Sequence, residues 1–148
     1  MPTTHEATAA WHGDLTAGKG DVTTKSGLLK QAKISWKERT EGTGSAGSTS
    51  PEELLAASHA SCFAMAFSAR LAKAGVVDAD IHVTARVTFG PAAGGGNGVL
   101  SSELTVRAPA PDGDVAKLTS IAEDAKENCP ISKALKGNVA LSVEALPS

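Results

Sequence analysis

At 148 residues the chain is long enough for one domain with a sizeable core. That core has to be aliphatic and alanine-rich, because 41% of the residues are hydrophobic while only 3% are aromatic and tyrosine is absent. A net charge of −2 gives no sign of electrostatic capture of nucleic acid or anionic lipid. The opening stretch MPTTHEATAAWHGD has no basic segment followed by an apolar one, so no secretory signal is visible. The most hydrophobic window, Leu54 to Gly75, is broken by Ser58, His59, Ser61, Ser68, Arg70 and Lys73, which argues against a membrane span. The expectation is a cytoplasmic protein, in which a purely structural disulfide is uncommon.

Residues 7–12 (ATAAWH), 19–25 (KGDVTTK) and 28–36 (LLKQAKISW) read as short strands, with a hairpin turn at Lys25-Ser26-Gly27. Residues 40–50 (TEGTGSAGSTS) read as a Gly/Ser/Thr loop. A helix then opens on Ser50 as N-cap, with Pro51 at its first position and Glu53 completing a capping box. It runs to about Ala74, and Gly75 fits the C-terminal cap. Leu54, Leu55, Ala57, Cys62, Phe63, Met65, Ala66, Phe67 and Leu71 surround most of its circumference, the pattern of a helix buried on every side. A chain this short has few large residues with which to cover such a helix. The pattern therefore predicts an obligate homodimer, with this helix central to a large hydrophobic interface and Phe67 as a core or interface anchor.

Residues 80–89 (DIHVTARVTF) alternate strictly, Ile81, Val83, Ala85, Val87 and Phe89 on one face and His82, Thr84, Arg86 and Thr88 on the other. GPAAGGGNG at 90–98 reads as a hairpin tip, and 99–107 as a second strand with Leu104 and Val106 inward. A further helix starts near Val115, with Val115, Leu118, Ile121, Ala122 and Ala125 at helical spacing, and Pro130 interrupts it. A short turn over 130–135 precedes a last strand over 139–145. The order is β-β-β-α-β-β-α-β. This is a single α+β domain over residues 1–148, of mostly antiparallel strands with two main helices on one face.

Two motifs are set aside. GDLTAGKG at 13–20 approaches a phosphate-binding loop, but Gly20 stands where a magnesium-binding hydroxyl is needed and a strand follows. The histidines at 5, 12, 59 and 82 have no spacing that gathers a metal, so no metal site is expected. His59, three residues before Cys62, reads either as a partly buried polar side chain or as a cation that lowers the thiol pKa.

Two cysteines remain. Cys62, among Ala, Phe and Met on a helix, has the surroundings of a small core hydrophobe. Cys129 directly precedes Pro130, near the start of a new helical turn whose free N–H groups favour a thiolate accessible to exchange. Residue type alone leaves three readings open: buried hydrophobes, a staple, or a redox pair.

The longer motifs resemble the OsmC/Ohr family of thiol-dependent hydroperoxide reductases, and its OsmC branch in particular. They are WHGDLTAGKGDVTTKSG at 11–27, RTEG at 39–42, SPEELLAASHASCFAMA at 50–66 and CPISKAL at 129–135. The resemblance implies an OsmC-like fold, an intertwined homodimer with sites at its interface, and reduction of organic hydroperoxides. It assigns the peroxidatic role to Cys62 and the resolving role to Cys129. It matches the family glutamate to Glu52, leaving Glu53 to the cap, and the OsmC-branch arginine to Arg39. The Ohr branch draws its arginine from the first hairpin, where this chain has Ala17, Gly18 and Lys19.

Thiolate, not thiol, attacks a peroxide, so a cation has to offset the desolvation of a buried sulfur. Arg39 is the candidate, and Glu52 is expected to fix its guanidinium. No bound cofactor is implied, only a hydroperoxide substrate and an external dithiol reductant. Phe63, Met65 and Phe67 are expected to make the pocket apolar. On a continuous helix Glu52 and Cys62 stand about 15 Å apart, so either the segment at Glu52 bends back or a second subunit completes the site. The competing classes are a redox-sensing or binding module whose disulfide a partner reads, and an interaction protein with inert cysteines.

Overall fold

A computed structural model of the protein describes residues 1–42 and 44–148 and divides the chain into two compact units, Met1–Leu54 and Leu55–Ser148. The expected loop at 40–50 includes residue 43, which lies outside the described residues.

In the first unit β1 (Ala7–His12), β2 (Lys19–Thr24), β3 (Ala32–Ser35) and β4 (Ser48–Thr49) form one sheet in that order, antiparallel except for the parallel β3–β4 pair. The β1–β2 turn is set by Asp14, whose Oδ1 accepts from the Thr16 and Ala17 N–H groups at 2.8 and 2.9 Å. This is the stretch that approaches a phosphate loop, and it leads into a strand. The third strand is shorter than the expected 28–36. Ser35 ends it as the N-cap of a helix, α1 (Trp36–Glu41), by accepting from the Glu38 N–H at 3.2 Å. Gly42, at φ 57°, closes α1 with its N–H on the Glu38 carbonyl. Part of the expected 40–50 loop is thus the end of α1, and another part is β4.

The helix α2 (Pro51–Lys73) begins where expected. Ser50 Oγ accepts from the Glu53 N–H at 3.1 Å, but the Glu53 carboxylate accepts from the Thr49 hydroxyl, so only half of the capping box forms. At the other end Gly75 takes φ 90° and the Val76 N–H bonds the Leu71 carbonyl.

In the second unit β5 (His82–Pro91), β6 (Asn97–Ala108) and β7 (Ala140–Pro147) form a sheet in the order β5-β6-β7. The β5–β6 pair is antiparallel, with strands that reach further toward the tip than expected. The β6–β7 pair is parallel, and the crossover carries α3 (Val115–Asn128) and α4 (Pro130–Leu135). Asp114 caps α3 by accepting from the Lys117 N–H at 3.0 Å, and Val115 is left exposed. One sheet face supplies Ala85, Leu104 and Val143 in one row and Val83, Val106 and Ala145 in the next. Phe63, Phe67 and Leu71 of α2 and Leu118, Ala122 and Ala125 of α3 close the core over it.

The α2 helix is not buried on every side of the chain. His59, Phe63, Phe67 and Leu71, four residues apart, face inward at no more than 1% exposure. Ala57, Ser61, Met65, Ser68 and Ala72 are exposed, Met65 at 69%. By length and composition α2 suffices to cross a membrane, yet its inward line is part of a packed core. Phe67 is therefore a core residue of its own chain. One polar cluster sits in this core: His59 Nδ1 lies 2.7 Å from Ser102 Oγ and its Nε2 lies 2.8 Å from Ser132 Oγ.

Two outcomes follow. Phe67→Ala should cost about 3–5 kcal/mol of folding stability, read by denaturant unfolding, while the outward Thr84→Ala stays within about 0.5 kcal/mol. Burial depresses the His59 pKa below its ordinary 6.5. On acidification through that value the unfolded chain takes up a proton that the folded chain refuses, so stability is full above it and falls below it. Unfolding midpoints at pH 7.5 and 5.5 check this, and a flat profile contradicts it.

Candidate active site

Cys62 lies on α2 one position before Phe63, so its side chain sits at the margin of the buried face and is half-buried. Cys129 occupies the break between α3 and α4 and is fully buried. Pro130 makes that break. It ends α3 and starts α4, and it has no N–H of its own, so Ile131 carries the first free amide of α4.

These elements bring the two sulfurs together. The Cys129 side chain and the Ile131 N–H are the polar neighbours of the Cys62 thiol. Burial is the largest influence on Cys62 and pushes its thiol above the ordinary value. The Ile131 amide pulls the other way, and the neighbouring Cys129 raises it further. The expectation for Cys129 is therefore corrected. Its side chain makes no cap hydrogen bond and is not accessible, and the amide at the start of α4 serves Cys62 instead. His59 is buried rather than partly exposed. Its two ring nitrogens are taken by serines, and desolvation keeps it neutral, so it is not the cation that lowers the thiol pKa.

Arg39 and Glu52 meet in the first unit. Arg39 Nε and Nη2 both lie 2.9 Å from Glu52 Oε1. The Glu52 side chain is 8% exposed and that of Arg39 33%. Glu52 Oε2 is buried with no hydrogen-bond partner among the described residues. Glu52 is the second residue of α2, which is a continuous helix from Pro51, so the segment does not bend back.

The apolar lining expected near Cys62 is not supplied by Phe63 or Phe67. Phe63 and Phe67 are wholly in the core, and Met65 is in solvent. A cleft of about 330 Å³ is instead lined by Trp11, Leu15, Ile34, Trp36, Pro51 and Arg39. The chain has only two tryptophans, and both are here. The Arg39 guanidinium carbon is 6.0 Å from the centroid of the Trp36 ring, one helical turn away on α1. Trp11 pairs across β1–β2 with Gly20, where a Cβ would stand 2.8 Å from the indole, so glycine leaves the ring its place. The signal in the sequence was the S-x-x-E cap at Ser35, which would have put Trp36 and Arg39 on one helix.

The OsmC-like protein family model matches residues 42–144. Peroxiredoxin OsmC of Escherichia coli (strain K12) is 36% identical over 136 residues, covering 92% of each chain. The organic hydroperoxide resistance protein of Xanthomonas axonopodis pv. citri (strain 306) is 30% identical over 129 residues, covering 86% of this chain and 87% of that one. The crystal structure of the organic hydroperoxide resistance protein OhrB of Bacillus subtilis superposes with a TM-score of 0.73 at 26% identity, over 95% of this chain and 98% of that one. The fold, the matched motifs and the identity across nearly the whole length lead to one conclusion: the chain belongs to the OsmC-like protein family.

Proposed function

We propose that the protein is a thiol peroxidase that reduces organic hydroperoxides to alcohols, acting in the cytoplasm in peroxide detoxification. The observation that carries this reading is the neighbouring Cys62–Cys129 pair, one sulfur half-buried and the other fully buried. The names of the relatives, peroxiredoxin and organic hydroperoxide resistance protein, support it.

The cycle uses the two sulfurs. The Cys62 thiolate forms a bond to the terminal peroxide oxygen as the O–O bond breaks, and the departing alkoxide takes a proton to leave as alcohol. Cys62 is then a sulfenic acid. The Cys129 sulfur attacks the Cys62 sulfur, hydroxide departs with the Cys129 proton as water, and a disulfide remains. An external dithiol returns both cysteines to thiols and is itself oxidised to a disulfide. No bound cofactor takes part.

Arg39 supplies the charge that the site needs. Its guanidinium stabilises the thiolate and the oxygen that gains charge in the transition state, and Glu52 holds it in place. The tryptophan-lined cleft beside it suits the hydrocarbon part of an organic hydroperoxide better than hydrogen peroxide. Because α2 is continuous, its geometry separates Glu52 from Cys62 by about 15 Å. The site is accordingly proposed to be completed in a homodimer, with residues from both subunits. The exposed apolar residues Trp11, Leu15 and Met65 support such an assembly.

Cys62→Ser should abolish consumption of cumene hydroperoxide in a folded protein, and retained turnover would remove the central claim. Cys129→Ser should reduce about one equivalent and stop as a sulfenic acid that a dimedone probe traps. Sustained turnover of the native protein with an added dithiol separates the enzyme from a sensor, which would form the disulfide without cycling.

Arg39→Ala should slow the peroxide step at neutral pH. Burial and the Cys129 contact push the Cys62 thiol up, so in this variant the thiolate fraction, and with it the rate, should climb as pH is raised through the alkaline range. The native protein should change far less over the same range, and Arg39→Lys should recover activity only in part. Identical pH–rate profiles for native and Arg39→Ala protein would assign the charge to another residue.

A further inference from the structure

Among the described residues, the His59–Ser102–Ser132 cluster is the buried polar group of the second unit that the cycle above does not use. His59 and Ser102 are fully buried and Ser132 is 2% exposed. Buried polar side chains in an aliphatic core are costly unless each is satisfied, and here each is. A neutral imidazole has one donor and one acceptor nitrogen, and a hydroxyl can do either, so both contacts are hydrogen bonds in either tautomer.

The placement of the three residues is specific. His59 precedes Cys62 by three residues on α2, and Ser132 follows Cys129 by three in α4. The elements that hold the two sulfurs are therefore joined twice, once by the Cys62–Cys129 contact and once, a turn away, by the His59–Ser132 hydrogen bond at 2.8 Å. A single thiol contact leaves one element free to turn about the other, and a second link removes that freedom. Ser102, on β6, ties the same imidazole to the sheet at 2.7 Å. The arm to Ser132 bears on the cysteine pair, while the arm to Ser102 bears on the packing of α2.

We propose that His59 is a positioning residue for the resolving step: through Ser132 it holds the Cys129 turn in register with Cys62, so that Cys129 captures the sulfenic acid without rearrangement. The proposal rests on the peroxidase reading for its biological setting, but the geometry it describes governs disulfide formation by any oxidant. A misplacement on the order of 1 Å between reacting groups suffices to slow such a step by about a hundredfold.

The test compares Ser132→Ala, Ser102→Ala and His59→Leu with the native protein. Each serine variant leaves one ring nitrogen unpaired, so both should lose thermal stability to a similar degree. Two readouts are then taken on each folded variant. The first is the equilibrium of the Cys62–Cys129 dithiol with glutathione, and the rate of disulfide formation with diamide. The second is the lifetime of the Cys62 sulfenic acid after one equivalent of cumene hydroperoxide, trapped with dimedone.

Ser132→Ala should form the disulfide about tenfold or more slowly, shift the glutathione equilibrium toward the dithiol by a similar factor, and prolong the sulfenic acid. The rate of the first attack on peroxide should stay within about threefold of native, while Ser102→Ala should match native protein in all these chemical readouts. His59→Leu, where it folds, should match Ser132→Ala. Native-like disulfide formation in Ser132→Ala, or an equal defect in Ser102→Ala, overturns the proposal and leaves the cluster a packing device. A native protein that forms its disulfide with diamide but consumes no peroxide would overturn the peroxidase reading alone, because the glutathione and diamide comparison still decides the role of His59.

Discussion

Desolvation of the Cys62 sulfur is the constraint on which the rest of this protein depends. A thiol drawn out of water resists ionisation, and here burial is the leading influence that pushes it up. In the cycle proposed above, a nucleophile that reacts as an anion sits where the anion is penalised. The arrangement is workable only because other groups pull the other way. One does so within the same unit: the Ile131 amide at the start of α4 favours the charged form of the sulfur. Its presence there traces to Pro130, which breaks α3 and turns the next free N–H toward α2.

The first unit holds a charged pair of its own, Arg39 and Glu52. Both guanidinium contacts fall on one carboxylate oxygen, which leaves Oε2 of Glu52 buried without a partner among the described residues. The two charge-assisted contacts, from Nε and Nη2, fix the plane of the guanidinium. Trp36 and the cleft around it place apolar surface beside the guanidinium. Charge and apolar surface are thus built together on α1 and the neighbouring strands.

Much of this was legible from the chain alone where local rules decide. Ser50-Pro51 marked the start of α2 to the residue, Pro130 marked the α3–α4 break, and strict alternation gave the inward row of β5 and β6. The motifs around Cys62 and Cys129 carried the family. The failures have one common cause, which is that side-chain direction depends on tertiary packing. Residues 28–36 look like one strand because the apolar pattern runs into Trp36, whereas the Ser35 cap turns the chain into α1. Phe63 and Phe67 are near Cys62 in sequence, and proximity suggested a substrate pocket. On a helix the neighbour at one position points about 100° away, so they went to the core while the cleft took its lining from residues far along the chain. Cys129 looked like an exposed resolving thiol because its helix start was recognised, and the burial that α3 imposes on it was not.

The composition of α2 explains why the helix was read as buried all round, and what that reading captured. Its inward line of His59, Phe63, Phe67 and Leu71 is large and closes the core. Its outward residues are mostly Ala and Ser with Met65 among them, a surface of low polarity with few long side chains. Such a face loses little when water covers it and little side-chain entropy when another surface does. A helix face of that kind gives no drive to bury it as strong as a row of leucines would, so the proposed homodimer has to draw on more than α2. Trp11 and Leu15 in the first unit are exposed at 44% and 58%, and these larger groups carry the greater apolar area per residue. In the assembly proposed here, the small outward residues of α2 permit close approach and the first unit supplies the hydrophobic area, so both units are needed for a stable interface.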